Sequence, residues 1–339
     1  MPENSPGFVM IPYNTLESKF NSVLLKHDFS EAKAKTCAQI FASNSLDGVY
    51  SHGVNRFPRF IHYVKDGLVV PNAEAIISGK AGSIEQWDGQ RGPGPLNALL
   101  STERALELAD YQGIGCVALA NTNHWMRGGA YGWHAARKGF VFIGWSNTMA
   151  NMPTWGAVNS KLGNNPLVIA VPYKDHAIVL DMAISQYSYG AIESYKIKGQ
   201  NLPVPGGYDT MGHITSDPSE ISKSQRILPI GYWKGAGLSL LLDILGTILS
   251  GGNSVADISK QKGETGLSQV FIAIALKKLQ NYASIAGSLE HIIHDYHQSE
   301  SDNGAPILYP GERVMATRKE NQHKGIPVAR KVWEEIEKL

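Results

Sequence analysis

Four clusters of residues have the types and spacing to do chemistry. The first is Ser51-His52-Gly53, followed by Arg56 and Arg59. An imidazole in a Ser/Gly loop can reach a ligand, titrates near neutrality and can give a proton to a developing alkoxide. A guanidinium close by offers a planar fork to a carboxylate. The same residues read equally well as a His capping the next helix and an Arg on its wet face. The second cluster is NTNHWMRGGAYG (121–132), directly after the apolar run CVALA. Polar and glycine residues beyond the C-terminal end of a strand are where α/β folds place ligands, so His124 beside Asn123, Arg127, Gly128 and Gly129 is a site candidate, while Trp125 and Tyr131 can simply pack. The third is Trp233 and Lys234, ahead of an apolar helix whose N-terminus, opened by Gly235 and Gly237, could hold a phosphate. Lys234 reads alternatively as a surface residue. In the fourth, Asn164, Asn165 and Asp181 are expected at opposite ends of two adjacent strands, serving turns or hydrogen bonds to ribose and amide groups. For Asn-Pro, turn chemistry is the default.

Other motifs fail on context. GIGCVA (113–118) matches a dinucleotide fingerprint on paper, but the fingerprint needs strand, glycines, then helix, because the pyrophosphate rests on the helix N-terminus. Here the order is helix, glycines, strand, and Gly113 reads as a helix C-cap. GxxxxGK[ST], HExxH, GxSxG and CxxC do not occur. His291, His294 and His297 form HxxHxxH, which could point at most two imidazoles along one helix face; with Asp295, Gln298 and Glu300 around them they read as a solvated face, with no metal. A metal-dependent lyase or hydrolase would rest on that cluster alone.

These clusters need elements to hold them. Helical spacing appears at residues 15–26, then from Ser30, a cap followed by Glu31, to a stop at Asp47-Gly48, and again through Phe57, Phe60, Ile61 and Val64, with a cap near Asn55. From about Ala81 the pattern changes to β-rich runs, SIEQW, CVALA, FVFIGWSN, LVIAVP and AIVLDMA, with a helix at 97–112. Residues 196–224 carry no periodicity and read as a long functional loop or lid. GAGLSLLLDILGTILSGG is an apolar helix, SQVFIAIAL a buried strand, and the tail from Ser284 helical. The class is α/β.

The 339 residues include 43% hydrophobic and 18% charged residues, which excludes disorder and coiled coil. A net charge of +1 leaves no positive field for nucleic acid or anionic lipid, so neither is expected as a partner. Cys37 and Cys116 are the only cysteines; they read as reduced core residues. Residues 2–7 read as a frayed leader, and with no apolar leader or uninterrupted span, a cytoplasmic location is expected.

Taken together, GVYSHGVNRFPRF (48–60), IEQWD (84–88), NHWMRGGAYGW (123–133), NPL (165–167), YSYG (187–190) and RILPIGYWKGAGLSLLLD (226–243) resemble the malate/L-lactate dehydrogenase-type NAD(P)-dependent oxidoreductases, most nearly the branch that reduces 2,3-diketo-L-gulonate. The resemblance covers the chain from about Leu16. It implies a non-Rossmann, sulfolactate/malate dehydrogenase-like cofactor fold with a mixed sheet flanked by helices. It implies His52 as proton donor, with Arg56 and His124 lining the substrate pocket. It implies NADH, held by AIVLDMA (Ala177, Ile178, Val179, Leu180, Asp181, Met182 and Ala183), by Trp233 and Lys234, and by Gly311, Glu312 and Arg313 of PGER, a turn one residue shorter before its acid than the branch pattern. NADP stays as an alternative, since the cation that an adenosine 2′-phosphate needs cannot be placed in such a fold from sequence. It also implies a homodimer with the cofactor near the subunit interface. The expected reaction is hydride transfer to the carbonyl of a 2-oxo acid while His52, as imidazolium, protonates the oxygen. Malate, lactate, ureidoglycolate or cyclic imino acid dehydrogenases would share His52 and the cofactor site and differ in pocket residues, and a nucleotide-binding protein that has lost activity is the reading from another class. The expected organisation is a helical substrate and dimerisation region from 1–80 and 285–339 around an α/β cofactor domain at 81–284.

Overall fold

The computed structural model describes residues 7–302 and 304–339; residues 2–6 of the expected leader lie outside them. The chain opens with strand β1 (Phe8–Ile11), then helices α1 (Tyr13–Lys26) and α2 (Glu31–Leu46), a 3-10 turn (Tyr50–His52) and α3 (Phe57–Lys65). Helix α2 ends where Asp47 and Gly48 predict, Gly48 taking the positive φ of +81° that favours glycine. Arg56, one residue beyond the expected Asn55, is the N-cap of α3, and Pro58 sits in its first turn. Rings from three helices lock this region: Phe57 stacks on Phe20 at 4.1 Å and meets Phe41 edge-on at 5.2 Å.

Strands β2 (Ile76–Ala81), β3 (Ile84–Asp88), β4 (Ile114–Asn123) and β5 (Phe140–Ser146) follow, with α4 (Gly94–Gln112) and α5 (Gly128–Arg137) between the last three. The sheet thus begins at Ile76, five residues before the expected change of pattern. Strand β2 is an edge whose residues are nearly all exposed, so it lacks the alternation that marks a half-buried strand. Gly113 closes α4 at φ +90° and leads straight into β4, confirming the C-cap and disposing of the dinucleotide fingerprint.

A short ribbon, β6 (Met152–Pro153) with β7 (Ser160–Leu162), precedes β8 (Leu167–Tyr173) and β9 (His176–Met182). Beyond β9 the expected loop at 196–224 is a small folded unit: α6 (Tyr189–Ile197), the β10 (Gly207–Tyr208) and β11 (Ile214–Thr215) pair, and α7 (Pro218–Ser224). It has its own core of Ile192, Leu202, Ile221 and Ile227, closed against Met152 and Leu162. Asp217 caps α7 by accepting from the N–H groups of Ser219 and Glu220. Then come α8 (Trp233–Ser250), the turn α9 (Val255–Ile258), β12 (Thr265–Ala275), α10 (Tyr282–His297), α11 (Glu312–Lys324), β13 (Ile326–Ala329) and α12 (Arg330–Lys338).

Seven strands form one mixed sheet in the order β2-β3-β4-β12-β5-β8-β9, parallel only between β3 and β4. Alternation along β4 sends Val117 and Leu119 into a core beneath α4 and α5, and Cys116 and Ala118 to the opposite face beneath α8. Both cysteines are buried and free, as expected. The α8 helix buries Gly235, Ala236, Ser239, Leu242, Gly246 and Ser250 and turns Leu240, Leu241, Ile244, Leu245 and Ile248 outward. Its 18 residues are apolar and long enough to cross a membrane by composition, yet one side packs on the sheet. Strand β1 pairs antiparallel with β13, and Ile326, Val328 and Ile336 complete the core of α1, α2 and α3.

Candidate active site

His52 ends the 3-10 turn, and the C-terminal turn of α2 fixes its backbone. Asn44 donates to the His52 carbonyl at 3.1 Å, and the Val54 N–H donates to Ser45 Oγ at 2.8 Å. Gly53 is pressed so closely on Ser45 that a Cβ there would lie 2.3 Å from its hydroxyl oxygen. His124 follows β4 and is aimed by two devices. Asn123 donates to the carbonyls of Leu68, Arg91 and Gly92, and Gly94 runs under the His124 carbonyl, where a Cβ would sit at 2.1 Å. The two loops bring the imidazoles together, ring centroids 5.7 Å apart and 19° from parallel.

The Met126 N–H donates to His124 Nδ1 at 2.9 Å, so Nδ1 is an acceptor and the ring proton sits on Nε2. His124 is therefore a neutral hydrogen-bond donor. His52 Nδ1 lies 3.0 Å from Ser51 Oγ. Burial first, then the guanidinium charges of Arg56 and Arg127, hold the His52 pKa down at about 4, and burial with Arg56 pushes that of His124 well below its ordinary value. Burial and these cations thus favour the neutral ring of His52 in the chain alone, and the imidazolium expected for the reaction needs an anion beside it.

Arg56 joins the pair from the start of α3 and donates from Nη2 to Glu264 at 3.3 Å. Glu264 was not among the sequence candidates. It stands 208 positions from Arg56, and no local pattern links them. Arg127 is buried and ion-paired with Asp47 at the end of α2, and its Nε lies 3.8 Å from Asp181; Arg318 of α11 shares Asp47. Read locally, Asp47 looked like a helix stop; in three dimensions it anchors two guanidinium groups. The alternative of a wet Arg describes Arg59, which is exposed on α3 and donates to the Tyr63 hydroxyl, whereas His52 and Arg56 are each partly buried.

The remaining sequence candidates lie along β9 and around it. Ala177 and Val179 are buried in the core under α5, while Ile178, Leu180, Met182 and Ala183 are partly covered. Asp181 accepts the Gly129 N–H at 2.9 Å beside Arg127, so its carboxylate serves the start of α5. Because β8 and β9 are antiparallel, with Leu167 opposite Met182, Asn164 and Asn165 lie at the same end as Asp181, which corrects the expected opposite ends. Asn165 is fully buried, accepting from Thr148 and donating to Ser239. Gly311 seats the PGER turn on β9: its backbone has φ +95°, a Cβ would meet Val179 and Trp133 at 3.2 Å, and the Val179 N–H donates to the Pro310 carbonyl. Glu312 accepts from the Tyr309 N–H and pairs with His297, and Arg313 is exposed. His291 and His294 face solvent on α10; among the described residues no group of three metal-ligating side chains occurs. Trp233 and Lys234 open α8 just beyond the Met182 end of β9, where the Ile230 N–H donates to the Ile184 carbonyl. Trp233 is 64% exposed, with Lys234 Nζ 6.0 Å from its ring centroid.

Two facing imidazoles and a guanidinium, one imidazole from the loop after β4 and the other two groups from the turn between α2 and α3, can bind an organic acid and move a proton at its oxygen. The chain belongs to the malate/L-lactate dehydrogenase family, whose model matches residues 11–337, and is an oxidoreductase. It is 45% identical over 331 residues to the 2,3-diketo-L-gulonate reductase of Klebsiella pneumoniae (strain 342), covering 97% of this chain and 99% of the relative. To the enzyme of the same name from Escherichia coli (strain K12 / DH10B) it is 44% identical over 332 residues, with the same coverage. Among solved structures, sulfolactate dehydrogenase from Methanocaldococcus jannaschii matches with a TM-score of 0.90 at 27% identity, over 97% of this chain and 96% of that one. Malate dehydrogenase from Pyrococcus horikoshii OT3 matches at 0.87 and 29% identity, over 98% and 94%. The expected family and the mixed, helix-flanked sheet are both borne out.

Proposed function

We propose that the protein reduces 2,3-diketo-L-gulonate to 3-dehydro-L-gulonate with NADH. The observation that carries the substrate is the identity of about 45% over nearly the full length of relatives of that name. The observation that supports the chemistry is the His52, His124 and Arg56 cluster. Malate, lactate, ureidoglycolate and cyclic imino acid substrates are the alternatives within the same site.

The residues present fit a nicotinamide dinucleotide. Strand β9 is the last of the sheet, so its outer edge offers backbone groups to the amide and ribose of the cofactor, while the Val179 N–H is taken by the Pro310 carbonyl. Ala177, Ile178, Val179, Leu180, Asp181, Met182 and Ala183 supply that edge, with Gly311, Glu312 and Arg313 seated on it. The exposed Trp233 ring and Lys234 offer a stacking face and a cation for phosphate. When bound, the nicotinamide supplies the hydride.

The protein's own groups do the rest. Arg56 holds the substrate carboxylate through the guanidinium N–H groups that Glu264 leaves unused. His124 donates from Nε2 to the carbonyl oxygen and polarises it. His52 is neutral until the acid binds; the incoming carboxylate offsets the field of Arg56 and draws a proton onto the ring, which then goes to the alkoxide oxygen. A homodimer in the cytoplasm belongs to the same reading, and the exposed apolar face of α8 supports a partner surface.

The test is loss of the near-ultraviolet absorbance of NADH, and separately NADPH, on adding 2,3-diketo-L-gulonate, with pyruvate, oxaloacetate and a cyclic imino acid in parallel. Preferential oxidation of NADH with the diketo acid is the expected result. Turnover with another acid alone would overturn the substrate and keep the chemistry.

A further inference from the structure

We propose that Glu264 is a specificity-determining residue: its carboxylate accepts hydrogen bonds from hydroxyl groups on the tail of a 2-oxo acid whose own carboxylate is held by Arg56. The inference rests on the function proposed above and extends it to a class of substrate, polyhydroxylated acids as against short apolar ones.

Placement comes first. Glu264 immediately precedes β12, and Thr265, the first residue of that strand, is the register partner of Asn123, the neighbour of His124. The Glu264 side chain is 13% exposed and engages Arg56, which also bears electrostatically on both imidazoles. Its backbone N–H donates to the Tyr63 hydroxyl at 3.4 Å, and the same hydroxyl accepts from Arg59, so the segment is braced against α3. Glu264 therefore stands beside Arg56, next to the group that brings His52 and His124 together.

Charge and valence decide what it can bind. A carboxylate is an acceptor only, with room for about four hydrogen bonds across two oxygens. Among the described residues one oxygen, Oε2, is engaged by Arg56 and Oε1 has no protein donor. A largely buried carboxylate in that state gains from donors that a ligand brings. It repels an acid group, which directs the substrate carboxylate to Arg56 and the rest of the molecule toward Glu264. Hydroxyl groups beyond the dicarbonyl of a sugar acid are donors of the kind Oε1 lacks. Pyruvate ends in a methyl group and offers Oε1 no donor. Sites built to bind a hydroxyl discriminate strongly against analogues that lack it.

The experiment measures kcat/KM for 2,3-diketo-L-gulonate and for pyruvate, with the reduced nicotinamide cofactor saturating, in the unsubstituted enzyme, Glu264→Gln and Glu264→Asp. Glutamine preserves shape and weakens the acceptor; aspartate keeps the charge beside Arg56 and withdraws the oxygens, covering the case in which the amide does not fold. The ratio of the two specificity constants is expected to fall by about 10- to 100-fold in the glutamine variant, the range of a hydrogen bond to a charged group, and to fall in the aspartate variant too. A merely structural support of Arg56 would lower both constants alike and leave the ratio in place, which would overturn the proposal, as would no change at all. No turnover of the diketo acid by the unsubstituted enzyme would overturn the proposed function, and the role of Glu264 with it. Turnover by that enzyme with an unmoved ratio in the variants would overturn Glu264 alone.

Discussion

Two imidazoles whose rings lie 5.7 Å apart, beside an arginine, cannot both be charged without strong mutual repulsion. The site resolves this by keeping both neutral until an anion arrives. Binding of an unreactive 2-hydroxy or 2-oxo acid analogue at pH 7 should therefore take up close to one proton, which calorimetry in buffers of different ionisation enthalpy would detect; zero uptake would mean the proton source lies elsewhere. Stability follows the same logic. Because His52 titrates near 4 in the folded chain and near 6.5 unfolded, the unfolded chain binds more protons between those values. The contribution of neutral His52 is thus present above pH 6.5 and lost as pH falls toward 4; acid melting curves of the unsubstituted protein and His52→Ala should converge in that window. In the same variant, turnover should drop by about 10² to 10⁴, the usual weight of general acid help, while fluorescence titration shows NADH binding retained. Full turnover would remove His52 from the reaction. At this scale the sequence was readable where chemistry sits in one short string: SHG with its arginine and NHW were both visible. Glu264 and the Asp47 ion pairs were not, because their meaning depends on partners 208 and 80 or more positions away.

Elements were legible to the extent that their ends carry their own chemistry. Gly113, Asp47-Gly48 and Ser30-Glu31 marked helix ends because the backbone conformations they favour are local. Strand β2 and the unit containing α6 and α7 went unread, since one is exposed along most of its length and the other draws its core from residues spread between 152 and 236. Asp217-Pro218 was a usable start signal inside the supposed loop. The contact of α4 with the His124 loop makes a sharp prediction: Gly94→Ala should drive the His124 carbonyl away, costing about 1–3 kcal/mol of stability. Activity should fall by more than the unfolded fraction explains, as read by melting temperature alongside kcat. Unaltered activity would show that His124 tolerates displacement and does not orient the carbonyl.

For the molecule as a whole, composition and the alternation of helices and strands were enough for the class, and long strings such as RILPIGYWKGAGLSLLLD for the family. What faces the apolar side of α8 could not be read, because a buried helix and an interface helix share one composition. In the proposed homodimer Leu241 and Ile248, 55% and 62% exposed in the single chain, meet a second copy. The double substitution Leu241→Glu with Ile248→Glu should then convert the dimer to a monomer in light scattering; a monomeric unsubstituted protein would overturn the pairing.

The sheet order also dictates how the chain can be made. Strand β12, the last of the seven along the chain, lies between β4 and β5, so among the described residues it alone pairs one part of the sheet with the other. During synthesis β2-β3-β4 and β5-β8-β9 can each form early, but each waits with an open edge until a strand beginning 119 positions after the end of β5 is delivered from the ribosome. Contacts of such sequence separation are slow to form. The interval is when a growing chain is most exposed to edge-to-edge pairing with its neighbours on the same messenger, and insertion of β12 ends it.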